Sequence, residues 1–324
     1  MAVTAVSTAE MAAAEVEAQV ATKPRRTRAR RRTERRAATA GRVAIVTDSL
    51  AWLPPEVAAR HGIRVVPLHV HIGEEEFTET VDITNREFYA RLTNGGPHPR
   101  TSQPAVGEFL EAYREAARDA EGILSVHASS KLSGTCASAA MAAGQLREER
   151  PYVVVETLDT LQIATAQGIV AIRAAQRAAS GAAFGEVLTA AREVLPKPRV
   201  LLAVETLEYL RRGGRIGRAQ AFLGSLLHVR PILTVEQGEV APLERVRTRR
   251  RAMERLLELM ERYAAGRPLA HVGVGHARAP EEGQALLEMV RARFSVGELL
   301  FAEIGPVIGT YVGPGALALT FHCD

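Results

Sequence analysis

The chain has 324 residues, 47% of them hydrophobic and 24% charged, which excludes a disordered, collagenous or coiled-coil protein and predicts about two globular domains. The net charge of +4 is unevenly spread: residues 1–42 hold ten basic and four acidic side chains, a net +6, and the remainder carries −2. A near-neutral globular part gives no general case for nucleic-acid binding, whereas the arginine block Lys23–Arg36 reads either as a disordered, solvated extension or as a tether to RNA, DNA or an anionic lipid surface.

From Val43 the chain alternates strands and helices. Residues 43–46 form a short apolar strand, ended by Thr47-Asp48-Ser49. A helix is predicted over 54–60, with a proline near its start where the amides have no internal partner. A second strand covers 63–70 and a helix 85–92. The turn Thr101-Ser102-Gln103, followed by Pro104, opens a helix predicted over about 106–120, whose Val106, Phe109, Leu110 and Tyr113 form one buried face. A third strand covers 122–126. The polar turn Ser129–Gly134 leads into a helix through 146, a fourth strand covers 152–155, and a long helix runs over about 160–179. This order predicts a parallel, Rossmann-like sheet with helices on both faces, in which ligands bind where loops leave the carboxyl ends of the strands.

Pro196-Lys197-Pro198 marks a boundary. The expected organisation is a basic extension over 1–42, an α/β domain over 43–195 and a second α/β domain over 196–324. In the second, strands are predicted at 200–204, 231–235, 239–243, 270–274, 299–304 and 316–321, with helices at 253–263 and 281–291. Their less regular order indicates a mixed sheet. Residues 305–315 are rich in Gly and Pro, which permits close backbone approach.

Cys136 and Cys323 lie in no metal-ligand spacing, which predicts a reducing compartment and no disulfide framework. No stretch approaches the roughly 18 apolar residues of a membrane span, and the amino terminus lacks a secretory pattern, so a cytoplasmic protein is expected. There is no GxxxxGK[ST] loop, G-x-S-x-G elbow or HExxH motif.

Three hydroxyl-rich turns stand out: Thr47-Asp48-Ser49, Thr101-Ser102-Gln103 and Ser130–Thr135. Each reads either as a helix cap or as part of an anion site built from hydroxyls and free helix amides. Residues 208–217 pair glycines with arginines, and Arg245–Arg251 holds five arginines. Each of these reads as a solvated basic stretch or as a contact for an anion or a partner. His276 follows a strand and reads as structural or as a group that orients an anion. Cys136, in the first turn of a predicted helix, is placed where a thiol can be acidified.

In order along the chain, Val46-Thr47-Asp48-Ser49, Thr101-Ser102-Gln103-Pro104, Ser129–Thr135, Leu207–Gly217, Val246-Arg247-Thr248 and Ile308–Leu317 resemble the DegV family of fatty-acid-binding proteins, which includes the FakB subunits of bacterial fatty acid kinase. The resemblance spans about 43–321. It implies two α/β domains with a fatty acid between them and no other cofactor. It also implies a non-catalytic carrier whose partner kinase phosphorylates the bound carboxylate to an acyl phosphate. By resemblance Thr101, Ser133 and His276 bind the carboxylate, and Ser102, Ser130, Arg215 and Arg247 lie near the mouth as anion or partner contacts. The sequence departs from the family at Cys136, where Tyr is usual, and at Tyr311, where His is usual. The alternative reading is an enzyme that acts on a small phosphorylated or carboxylated metabolite at the same turns.

Overall fold

The structure, a computed structural model, describes residues 41–223 and 229–323. The arginine block and the reading of it as a tether therefore lie outside the described residues. Thirteen strands and ten α-helices are described. In chain order they are β1 (Val43–Asp48), α1 (Pro55–Arg60), β2 (Ile63–Val66), β3 (His69–Ile72), β4 (Glu75–Thr78), α2 (Asn85–Thr93), β5 (Arg100–Ser102), α3 (Val106–Ala116), β6 (Gly122–His127), α4 (Thr135–Glu149), β7 (Val154–Asp159), α5 (Thr165–Ala179), α6 (Phe184–Val194), β8 (Arg199–Ala203), α7 (Glu208–Arg212), β9 (Arg230–Glu236), β10 (Glu239–Val246), α8 (Arg249–Ala264), β11 (Leu269–His276), α9 (Pro280–Arg293), β12 (Val296–Glu303), α10 (Pro306–Val312) and β13 (Leu317–Cys323).

The first sheet has the order β2-β1-β6-β7, with all three pairings parallel. Both of its faces are covered, as its continuous apolar runs require. Phe109, Leu110 and Tyr113 of α3 and Ala139, Ala142 and Leu146 of α4 pack on one side, against Val46 and Ile123. Ile169, Val170 and Ile172 of α5 and Phe184 and Val187 of α6 pack on the other, against Ile45 and Leu124. The second sheet is mixed, with order β10-β9-β8-β13-β11-β12 and β11–β12 its parallel pair. Its strands alternate. Leu201 and Ala203 of β8 enter a core with Leu256 and Met260 of α8 and Leu286 of α9, while Val200 and Leu202 face the opposite way, into a cavity. A three-stranded antiparallel ribbon, β4-β3-β5, edges this cavity.

Three local readings are corrected by backbone chemistry. The strand expected over 63–70 breaks at Pro67, which has no N–H for a ladder, and resumes as β3. Thr101 and Ser102 do not open a helix. They form β5 and pair with Val70 and His69, and Gln103, held extended because it precedes Pro104, delays the helix to Val106. The long helix expected from 160 starts at Thr165, since Leu161 (φ 51°) and Ala164 (φ 58°) adopt positive φ before it. The apolar pattern carries no signal for helices α6, α7 and α10 or for strand β4, which the structure adds.

Candidate functional site

The loops that leave the carboxyl ends of the parallel strands converge on one cavity. Leu50 and Trp52 follow β1, Leu68 follows β2, Leu132 and Ser133 follow β6, and Ile163 and Ala164 follow β7. The mixed sheet supplies the facing wall through Val200, Leu202, Leu233, Val235, Val240 and Ala318, and α10 closes the remaining side with Val307, Ile308, Tyr311 and Val312. The space between these walls, its open mouth included, is about 980 Å³.

The walls are almost wholly apolar, Thr234 on the mixed sheet giving its hydroxyl to the Val200 carbonyl, and the remaining polar groups gather where Thr101, Gln103, Ser133, Arg215 and Tyr311 meet. Thr101 Oγ1 and Tyr311 Oη are hydrogen-bonded at 2.5 Å. Ser133 Oγ lies 2.7 Å from Thr135 Oγ1 and accepts the Thr135 N–H at 3.3 Å. The Arg215 guanidinium stands 5.3 Å from the centroid of the Tyr311 ring and donates to the carbonyls of Leu132 and Gly213 at 3.1 and 3.0 Å. Among the described residues no carboxylate pairs with it. By contrast Arg211 and Arg212 are both engaged by Glu208, whose carboxyl their hydrogen bonds hold down at about 2. Gly213 is required here: a Cβ on it would stand 2.3 Å from Tyr311 Cδ1. The site thus joins neutral hydroxyl donors with one cation that lacks a counter-ion, an arrangement that accepts a carboxylate or another small anion.

Of the seven residues singled out from sequence, Thr101, Ser133 and Arg215 line this cavity, and Ser102, Ser130, His276 and Arg247 are not among its lining residues. Ser102 Oγ is 2.9 Å from His71 Nε2 on the outer side of the ribbon. Ser130 is exposed, and its N–H donates to Asp159. The buried His276 ring packs against Phe301 and Gly283, with Nδ1 accepting the Ala279 N–H at 3.4 Å. Arg247 is exposed beyond the end of β10. Tyr311 fills the position facing Thr101. The signal for it was already present in the departure from His at that position.

Beneath the site lies a polar network in which Thr47, Asp48, Ser125, His127 and Gln167 are each 0% exposed. Tyr113 Oη donates to Ser125 Oγ at 2.8 Å, Ser125 Oγ lies 2.7 Å from His127 Nε2, and His127 Nδ1 lies 2.8 Å from Asp48 Oδ2. This is the hydrogen-bond order of a serine hydrolase triad, but it is sealed in the core. Its role is to fix loops: Asp48 also accepts the N–H groups of Leu50 and Ala128 and the amide of Gln167, so it ties the turns after β1 and β6 to one carboxylate. Cys136 is not acidified. Burial, with Asp159 and Asp48 nearby, pushes its thiol up to about 11. Among the described residues no group of three metal-ligating side chains converges, and no helix is long and apolar enough to cross a membrane.

A family model described as "Uncharacterised protein, DegV family" matches residues 42–323. A DegV domain-containing protein of Streptomyces coelicolor is 42% identical over 279 residues, covering 86% of this chain and 97% of its own length. A DegV family protein from Thermus thermophilus whose structure is described as fatty acid binding superposes with a TM-score of 0.82 at 34% identity, covering 87% of this chain and all of its own. DegV of Bacillus subtilis, described as a fatty acid binding protein, superposes with a TM-score of 0.78 at 34% identity, covering 88% of this chain and all of its own. With nearly its whole globular length matched in sequence and in fold, this chain belongs to the DegV family.

Proposed function

We propose that this chain binds one long-chain fatty acid, with the acyl chain in the apolar cavity and the carboxylate at Thr101, Ser133, Tyr311 and Arg215. We further propose that it presents the carboxylate to a partner kinase. A carboxylate oxygen attacks the γ-phosphorus of ATP held by that partner, the bond to ADP breaks, and an acyl phosphate forms. The single observation that carries the reading is an apolar cavity with one polar end, where Arg215 pairs with no carboxylate among the described residues. The fatty-acid-binding relatives support it.

The energetics favour the tail. Each buried methylene contributes about 0.8 kcal/mol, so fourteen give on the order of 11 kcal/mol before the cost of ordering the ligand. The polar end then sets orientation. Thr101, Ser133 and Tyr311 are neutral donors, and Arg215, exposed and already donating to two carbonyls, offsets the carboxylate charge only in part, which leaves an oxygen nucleophilic.

Native mass spectrometry of the purified chain, followed by organic extraction, tests the reading. One fatty acid per chain is expected. A bound polar metabolite, or a cavity that refuses added fatty acid, overturns it in favour of an enzyme for a small carboxylated or phosphorylated substrate.

A further inference from the structure

Helix α10 forms one wall of the cavity and carries Tyr311, and a buried carboxyl holds its first turn. Glu79 follows β4 and is 4% exposed. Its Oε1 accepts the Val307 N–H at 2.8 Å, and its Oε2 is buried without a hydrogen-bond partner. The contact is tight: a Cβ on Gly305 would stand 2.7 Å from Glu79 Oε1. Asp48 and the Ser49 hydroxyl face the carboxyl from the turn after β1. Tyr89 faces it from α2 with its hydroxyl donating to the Ile304 carbonyl, and Glu303 of β12 lies near Tyr89. Among the described residues no cationic side chain pairs with Glu79. Burial, opposed only in part by the Ser49 and Val307 hydrogen bonds, pushes its carboxyl up to about 7.

We propose that Glu79 is a proton-dependent positioning residue that holds α10 against the cavity when neutral and releases it when ionised. A carboxyl sealed beneath α10 resists ionisation, and the same carboxyl in contact with water regains its ordinary acidity. Protonation therefore favours the closed wall, and rising pH favours any state in which α10 lifts and Glu79 is hydrated. Gly305 and Gly313, which flank α10, supply pivots, the latter at φ 70°. Because Val307, Ile308, Tyr311 and Val312 all line the cavity, lifting α10 opens both the tail channel and the polar end. The inference rests on the fatty-acid reading above and adds a control on retention.

The test compares the native sequence with Glu79→Gln, which keeps the shape and the acceptor oxygen but cannot ionise. Protein loaded with hexadecanoate is mixed with excess phosphatidylcholine vesicles, and release is followed by the fluorescence of Trp52, the chain's one tryptophan, which lines the cavity and donates to the Glu303 carbonyl at 3.0 Å. Release from the native chain should accelerate about tenfold between pH 6 and pH 8, and Glu79→Gln should be flat. Equal pH dependence in the two proteins, or none in either, overturns the proposal.

Acrylamide quenching of Trp52 in lipid-free protein supplies the second readout, with Glu79→Met as a further uncharged variant. Quenching should rise through pH 7 in the native chain alone, and an unchanged profile overturns the proposal on its own. Failure of the native chain to take up hexadecanoate at any pH sinks the fatty-acid reading instead, and the quenching profile still decides the role of Glu79.

Discussion

Replacing Thr101 by valine separates the orienting end of the cavity from its apolar walls. Valine matches threonine in shape, so β5 and its pairing with Val70 persist, while the 2.5 Å hydrogen bond to Tyr311 is lost. A hydrogen bond between neutral partners is worth about 1 kcal/mol, and one to a charged acceptor about 1.5–3 kcal/mol. If the Thr101 hydroxyl donates to a fatty acid carboxylate, Thr101→Val should weaken hexadecanoate binding by about 10- to 100-fold. The same substitution should barely affect hexadecanol, which has the same tail and no carboxylate. Both ligands can be titrated against Trp52 fluorescence. Equal losses for the two would mean that the substitution deforms the channel, and no loss for hexadecanoate would mean that the carboxylate does not sit at Thr101. Either result refutes the assignment.

Three further outcomes follow from the buried groups. Asp48→Ala removes the acceptor of His127, Leu50, Ala128 and Gln167 at once and should cost about 3–5 kcal/mol in urea unfolding; a loss under about 1 kcal/mol would contradict the role given to the network. Glu79 has a folded-state value of about 7 against an ordinary value of 4.5, so its contribution to stability is fully present below pH 4.5 and is lost as pH rises to 7. Unfolding measured at pH 5 and pH 8 should show the native chain losing about 2.5 kcal/mol relative to Glu79→Gln, and parallel profiles would show that Glu79 is not buried as described. The Cys136 thiol, pushed up to about 11, should alkylate slowly with iodoacetamide at pH 7.5 and faster toward pH 10; rapid modification at neutral pH would contradict the placement.

Much of the parallel half was legible because its signals are local. The apolar runs of β1 and β6 and the 3.6-residue spacing of Phe109, Leu110 and Tyr113 need no tertiary knowledge. The rest was set by contacts distant in sequence. β5 is three residues long and is a strand only because Val70 pairs with Thr101, and no periodicity marks so short an element. Helix α10 was hidden in a Gly- and Pro-rich stretch. Its glycines are there for packing, Gly309 against Phe88 and Tyr89 and Gly305 against Glu79.

The polar end shows the same division. Thr101, Ser133 and Arg215 were picked out as short motifs and do meet at one cavity, although 114 positions separate the first from the last. His276 carries a motif just as visible, yet its side chain leaves β11 toward α9, and strand alternation alone could not assign that face. Tyr311 and Glu79 act through partners 210 and 228 positions away, which only the fold discloses.

The most direct measurement is a crystal structure of the chain soaked or grown with hexadecanoate. Carboxylate oxygens are expected within hydrogen-bonding reach of Thr101 Oγ1 and Tyr311 Oη, beside Arg215, with the methyl end among Val200, Leu233 and Val240. A fatty acid lying in the reverse direction, or bound outside this cavity, would contradict this placement.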